Sequence, residues 1–81
     1  MDKFVAMTTF VRIVEKGSLT AAANALNTSL PTVVRILAML ERQLGVSLLN
    51  RTTRRVHLTD EGARYLDRCR AILSDAQDAE A

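Results

Sequence analysis

The stretch Ser29–Gly45, reading SLPTVVRILAMLERQLG, constrains this chain more than any other. A hydroxyl residue opens it, Pro31 follows in the first turn, and Gly45 closes it. These are the start and stop signals of one helix of about four turns. Val33, Leu37, Leu40 and Leu44 recur at i, i+4, i+7 and i+11, so one face of that helix is expected to be core. Directly before it, LTAAANALNTS reads as a short Ala-rich helix followed by a tight break. Two helices joined by a turn of about three or four residues form a helix-turn-helix, whose second helix enters the DNA major groove. Ser29–Leu44 is therefore expected to be a recognition helix.

The remaining segments arrange themselves around it. Asp2 is placed to cap a first helix over Lys3–Lys16, with Gly17 just past its end. Phe4, Met7, Val11 and Val14 make its apolar stripe, widened by Phe10 and Ile13. Ser18 or Thr20 caps the second helix, which runs to about Leu26. Its alanines Ala22, Ala23 and Ala25 allow close packing on the next helix. Asn27 tolerates the left-handed conformation that such a turn needs. After Gly45 the period changes. VSLLNRTTRRVHLT predicts a two-stranded hairpin, with strands near Leu48–Arg51 and Val56–Thr59 and Thr52–Arg55 at its tip. Arg51, Arg54 and Arg55 crowd into it, and a basic hairpin after a recognition helix is a wing. Thr59, Asp60 and Glu61 then open a last helix, with a hydroxyl cap and two acids on its positive end. Leu66, Cys69, Leu73 and Ala76 follow seam spacing along it, and Tyr65 and Ile72 widen the stripe. With no later segment to cover that face, it must meet the domain or another chain. The fold class is mainly α with a small β-hairpin, a winged helix-turn-helix followed by a long helix.

With 81 residues there is material for one small domain, near the lower size at which a core stabilises itself. Residues 1–57 carry eight Lys/Arg against three Asp/Glu, whereas residues 58–81 carry three against six. A basic body with an acidic tail suits a polyanion as partner. A single cysteine, Cys69, excludes an internal disulfide and a cysteine-based zinc site. No apolar window is long enough to span a membrane and no leader pattern is visible, so the expectation is a cytoplasmic protein. No carboxylate pair, nucleophile–base set or phosphate-cradling loop suggests an enzyme, and neither metal nor cofactor is expected. His57 reads as an exposed strand residue or a phosphate contact.

The segments EKGSLTAAA, LERQLGVSLLNR and RRVHLTDEG, in this order, resemble the N-terminal domain of LysR-type transcriptional regulators, along the whole chain. The resemblance implies a DNA-binding winged helix-turn-helix over residues 1–59 and a linker helix over 60–81. It also implies a homodimer on double-stranded DNA, built through Tyr65, Leu66, Cys69, Ile72, Leu73 and Ala76, with higher oligomers possible in a full regulator. A small-molecule effector would act only through a C-terminal domain that nothing here encodes. By the same resemblance Ser29, Leu30, Pro31, Thr32, Val34 and Arg35 face the major groove, and Arg51, Arg54 and Arg55 serve the wing. This chain departs from the family's usual Ser-Gln-Pro-Ala-Leu-Ser-Arg by placing Leu30 and Val34 at the Gln and second Ser positions. Neither side chain donates or accepts a hydrogen bond, so apolar contact with thymine methyl groups is what they offer. The apolar character of this helix leaves a second reading open: a winged-helix module for protein interaction or dimerisation, without specific DNA binding. The wing arginines favour DNA.

Overall fold

Each helix begins where a side-chain oxygen meets backbone amides that have no partner inside the helix. The computed structural model describes residues 2–50 and 56–80. Its elements are α1 (Lys3–Lys16), α2 (Leu19–Ala25), α3 (Leu30–Leu44), β1 (Leu49–Asn50), β2 (His57–Leu58) and α4 (Asp60–Glu80). Asp2 Oδ1 accepts from the amides of Phe4 and Val5, at 2.8 and 3.4 Å. Ser18 Oγ, rather than Thr20, caps α2 through the Ala21 amide at 3.0 Å. Ser29 Oγ caps α3 through the Thr32 amide at 3.3 Å. α1 and α3 both stop at glycines, Gly17 and Gly45, in the left-handed region. Asn27 takes the same conformation, with φ 56°, between α2 and α3. There the Thr28 amide donates to the Ala23 carbonyl at 2.9 Å and closes the turn.

β1 and β2 are antiparallel, with Leu49 opposite Leu58 and Asn50 opposite His57. The described strands are two residues each, shorter than the expected Leu48–Arg51 and Val56–Thr59. The expected tip, Thr52–Arg55, and Arg51 lie outside the described residues.

The core is shared by all four helices and the base of the hairpin. Phe10, Ile13, Val33, Leu37, Leu48 and Cys69 are fully enclosed. Ala22 and Ala23 are buried too, which leaves α2 close to its neighbours, while Ala25 is exposed. The buried polar Thr9 is satisfied by donating its hydroxyl to the Val5 carbonyl at 2.7 Å.

Periodicity found the right faces but misjudged their ends. The buried side of α1 is centred on Ala6, Thr9, Phe10, Val11 and Ile13, and Phe4, expected in the stripe, is 51% exposed. It stands in the first turn, at the rim of grooves beside α3 and α4, where no element covers it. Leu44, expected in the core face of α3, is likewise exposed. As the last residue of its helix it reaches only the rim of a groove beside Met7 and Tyr65.

Candidate nucleic-acid interface

The first turns of α3 carry the expected reading residues, and the cap decides which of them have free polar groups. Ser29 Oγ accepts from the Thr32 amide and also shares a 2.8 Å hydrogen bond with Thr32 Oγ1. Arg35 Nη2 in turn donates to Thr32 Oγ1 at 3.5 Å. The hydroxyls of Ser29 and Thr32 are thus engaged with each other and with the helix itself. Leu30, Pro31 and Arg35 are exposed, Thr32 and Val34 half-buried, and all are on the half of α3 that follows the turn. The opposite face of the same helix is Val33, Leu37 and Leu40, all buried. One helix therefore has one side locked into the core and the other side presented. Ile36, in the next turn, is half-buried and packs against the core.

The hairpin is fixed to this helix by a residue that sequence reasoning passed over. Glu41 Oε2 accepts from the backbone amides of Leu48 and Leu49, at 2.7 and 3.4 Å. A carboxylate on two amides is a charge-assisted pair, stronger than a neutral hydrogen bond. Thr59 holds the same loop from the other strand. Its amide donates to the Leu48 carbonyl at 3.0 Å, and its hydroxyl donates to the Ser47 carbonyl at 2.6 Å. That hydroxyl oxygen also caps α4 by accepting from the Gly62 amide at 2.9 Å. Gly62 is buried, and a Cβ there would run into the Leu48 carbonyl. The signals for this joint were faint: a charge beside the apolar stripe of α3, and a glycine inside the first turn of α4. Arg51, Arg54 and Arg55 lie outside the described residues, and His57 is an exposed strand residue.

α4 changes the expected dimer seam. Leu66 and Cys69 are 6% and 0% exposed within this single chain, because they pack into its own core. They are therefore not surface for a second copy. Tyr65 is half-buried, with its ring 5.6 Å from that of Phe10. Burial, and then the neighbouring Cys69, push the Tyr65 phenol up to about 12. Burial raises the Cys69 thiol as well, so it stays protonated and a poor nucleophile near neutrality. Further along, Leu73 and Ala76 are half-buried and Ile72 is exposed. Leu73 and Ala76 line a groove of about 580 Å³ with Phe4, Thr8 and Arg12 of α1.

Among the described residues no group of His, Cys, Asp and Glu is placed to hold a metal ion. Nor is any helix among them long and apolar enough to cross a membrane.

A helix-turn-helix with a clamped hairpin and a long fourth helix has close counterparts among known proteins. The family model described as a bacterial regulatory helix-turn-helix protein, lysR family, matches residues 4–63. The chain belongs to the LysR family. Within it, an HTH-type transcriptional repressor of Pseudomonas aeruginosa strain UCBPP-PA14 is 47% identical over 81 residues, all of this chain and 26% of that protein. The LysR-family likeness extends to solved structures. The BenM DNA-binding domain, in complex with catB site 1 DNA, superposes with a TM-score of 0.93 at 32% identity, over 96% of this chain and 87% of that one. The DNA-binding domain of CbnR, also in a DNA complex, gives 0.93 at 35% identity, over 98% and 91%. This chain spans about a quarter of the length of the curated relatives it matches. It is the winged helix-turn-helix DNA-binding domain of a LysR-type regulator. Its relatives are transcriptional regulators, a role that is not enzymatic.

Proposed function

We propose that this domain binds double-stranded DNA with α3 in the major groove and the hairpin in the adjacent minor groove. The observation that carries this reading is the presented half of α3. Leu30, Pro31 and Arg35 stand in solvent on a helix whose other face is core. Arg35 is placed for a guanine edge or a phosphate, and it sits near the positive end of the helix. Ser29 and Thr32 belong to the same surface as phosphate-side groups, and Val34 flanks them. Arg54 or Arg55 enters a minor groove narrowed by A·T pairs, where negative potential attracts arginine, and Arg51 supports the wing or meets a phosphate. Glu41 supports this placement by tying the base of the hairpin to α3.

The domain works as a homodimer through α4, with residues 1–59 reading DNA and residues 60–81 linking the copies. Ile72, Leu73 and Ala76 supply the seam, together with the adjacent groove against α1 that Phe4 borders. Higher oligomers, and any small-molecule effector, belong to the parts of a longer regulator that this chain does not span. The site of action is the cytoplasm, and the regulated DNA is bacterial.

A salt titration of binding to a selected duplex tests the reading. Affinity should fall steeply with salt, with a log–log slope of about −0.9 for each phosphate neutralised. Arg54→Ala with Arg55→Ala should weaken binding by about 1–3 kcal/mol for each guanidinium taken out of the groove. A flat plot, or equal binding by the double variant, overturns the DNA interface or the wing in turn. Ile72→Asp places an unpaired charge in the seam and should give monomers by sedimentation, since exposed Ile72 is not needed for the fold. An unchanged dimer would rule out that seam.

A further inference from the structure

We infer that Leu30 and Val34 make this domain a reader of the pyrimidine C5 methyl group, so that thymine and 5-methylcytosine are recognised through the same contact. The inference rests on the DNA-binding reading above and names what that surface selects. Leu30 and Val34 lie one turn apart on α3, and Pro31 and Arg35 lie beside them in the same two turns, so the four share one continuous strip of helix surface. Leu30 is 41% exposed at the first position of the helix. The nearest hydroxyls, those of Ser29 and Thr32, are tied into the helix cap. Ser29 Oγ is held by the Thr32 amide and the Thr32 hydroxyl, and Thr32 Oγ1 also accepts from Arg35. A base edge arriving at Leu30 and Val34 therefore meets methyl and methylene groups, with a guanidinium to one side.

Only one group on the major-groove edges of the four bases is apolar, the methyl at C5 of thymine. Adenine and guanine offer donors and acceptors there and cytosine an amine donor beside a bare C5–H, and bringing those polar groups against an aliphatic side chain strips them of water without replacement. The strip does not read the rest of the thymine ring, so methylation of cytosine at C5 supplies the same group in the same place. The preference is a methyl preference first and a thymine preference by consequence. Where the side chains meet the base, a methyl in place of hydrogen should be worth about fourfold in affinity, the burial of one methyl-sized group.

The test changes the DNA and leaves the protein intact. The 81-residue chain is used to select a site from random duplexes. Each thymine of the half-site is then replaced by uracil, and cytosine and 5-methylcytosine are compared at the same positions. The expected result is one or two positions at which uracil weakens binding about fourfold and 5-methylcytosine binds about fourfold tighter than cytosine. Leu30→Gln should abolish that difference at one of these positions and shift its preference towards adenine, which glutamine pairs bidentately. If uracil at every thymine leaves salt-sensitive binding unchanged, the inference fails while the DNA-binding reading stands. A uracil effect with no gain from 5-methylcytosine at that position also overturns it, since the two bases would then not be read alike. If no duplex from the random pool binds in a salt-sensitive way, both readings fail together.

Discussion

The first turns of α3 and the base of the hairpin are held by bonds of different reach. Ser29, Thr32 and Arg35 are linked by hydrogen bonds that each span three residues, so the cap forms wherever this sequence turns into a helix. The hairpin base is held by bonds spanning seven, eight and twelve residues, from Glu41 to Leu48 and Leu49 and from Thr59 to Ser47. Two strands of two residues have little stability alone. A recognition helix of this kind brings its own shape, whereas the wing takes its position from the rest of the domain. Damage to the helix start should therefore stay local, and damage at the hairpin base should reach the hairpin and the start of α4 but not the start of α3.

Gly62→Ala puts that difference under the greatest strain. The new Cβ meets the backbone carbonyl of Leu48, which has no flexible side chain to give way. A loss of about 3 kcal/mol in urea unfolding is expected, at the upper end for overpacking, together with a displaced hairpin. An unchanged midpoint would mean that α4 and the hairpin part easily. Glu41→Ala comes next, at about 2 kcal/mol, because two amides lose a charged acceptor and the Leu48 side of the loop is buried. Glu41→Gln keeps an acceptor and should recover part of the loss. Hydrogen exchange at the Leu48 and Leu49 amides should speed up in the alanine variant, while exchange in the first turn of α3 stays as it was. Acceleration in both places would dissolve the contrast.

Ser29→Ala removes the cap alone and should cost about 1 kcal/mol, with the hairpin amides undisturbed. The smallest effect belongs to Leu30→Ala. The side chain is exposed, so stability should move by less than about 0.5 kcal/mol even though the DNA surface changes. A larger loss of stability would mean that Leu30 serves the core and not a ligand.

The same division of reach explains what could be read from the sequence. Three helix starts were legible and that of α2 was narrowed to Ser18 or Thr20, because Asp2, Ser18, Ser29 and Thr59 act on amides two or three residues away. The left-handed turn at Asn27 was legible for the same reason. Leu66 and Cys69 were not placed correctly, because an amphipathic face shows that it must be covered and not by what. Their spacing serves a seam between two copies equally well, but the domain's own core takes them. Phe4 and Leu44 show the matching limit: period tells which side of a helix is buried, and the length of its neighbours tells how far. Glu41 was invisible as a clamp, since its partners come from a loop whose path only the folded chain defines.

Every polar group of Thr59 is engaged, and that has a mechanical meaning. Its amide serves the Leu48 carbonyl, its proton the Ser47 carbonyl, its hydroxyl oxygen the Gly62 amide and its carbonyl the Ala63 amide. The start of α4 and the root of the hairpin are thus bonded to one another at a single residue. A torque applied at the far end of α4 is therefore delivered to the hairpin as a swing, by a lever of 21 residues.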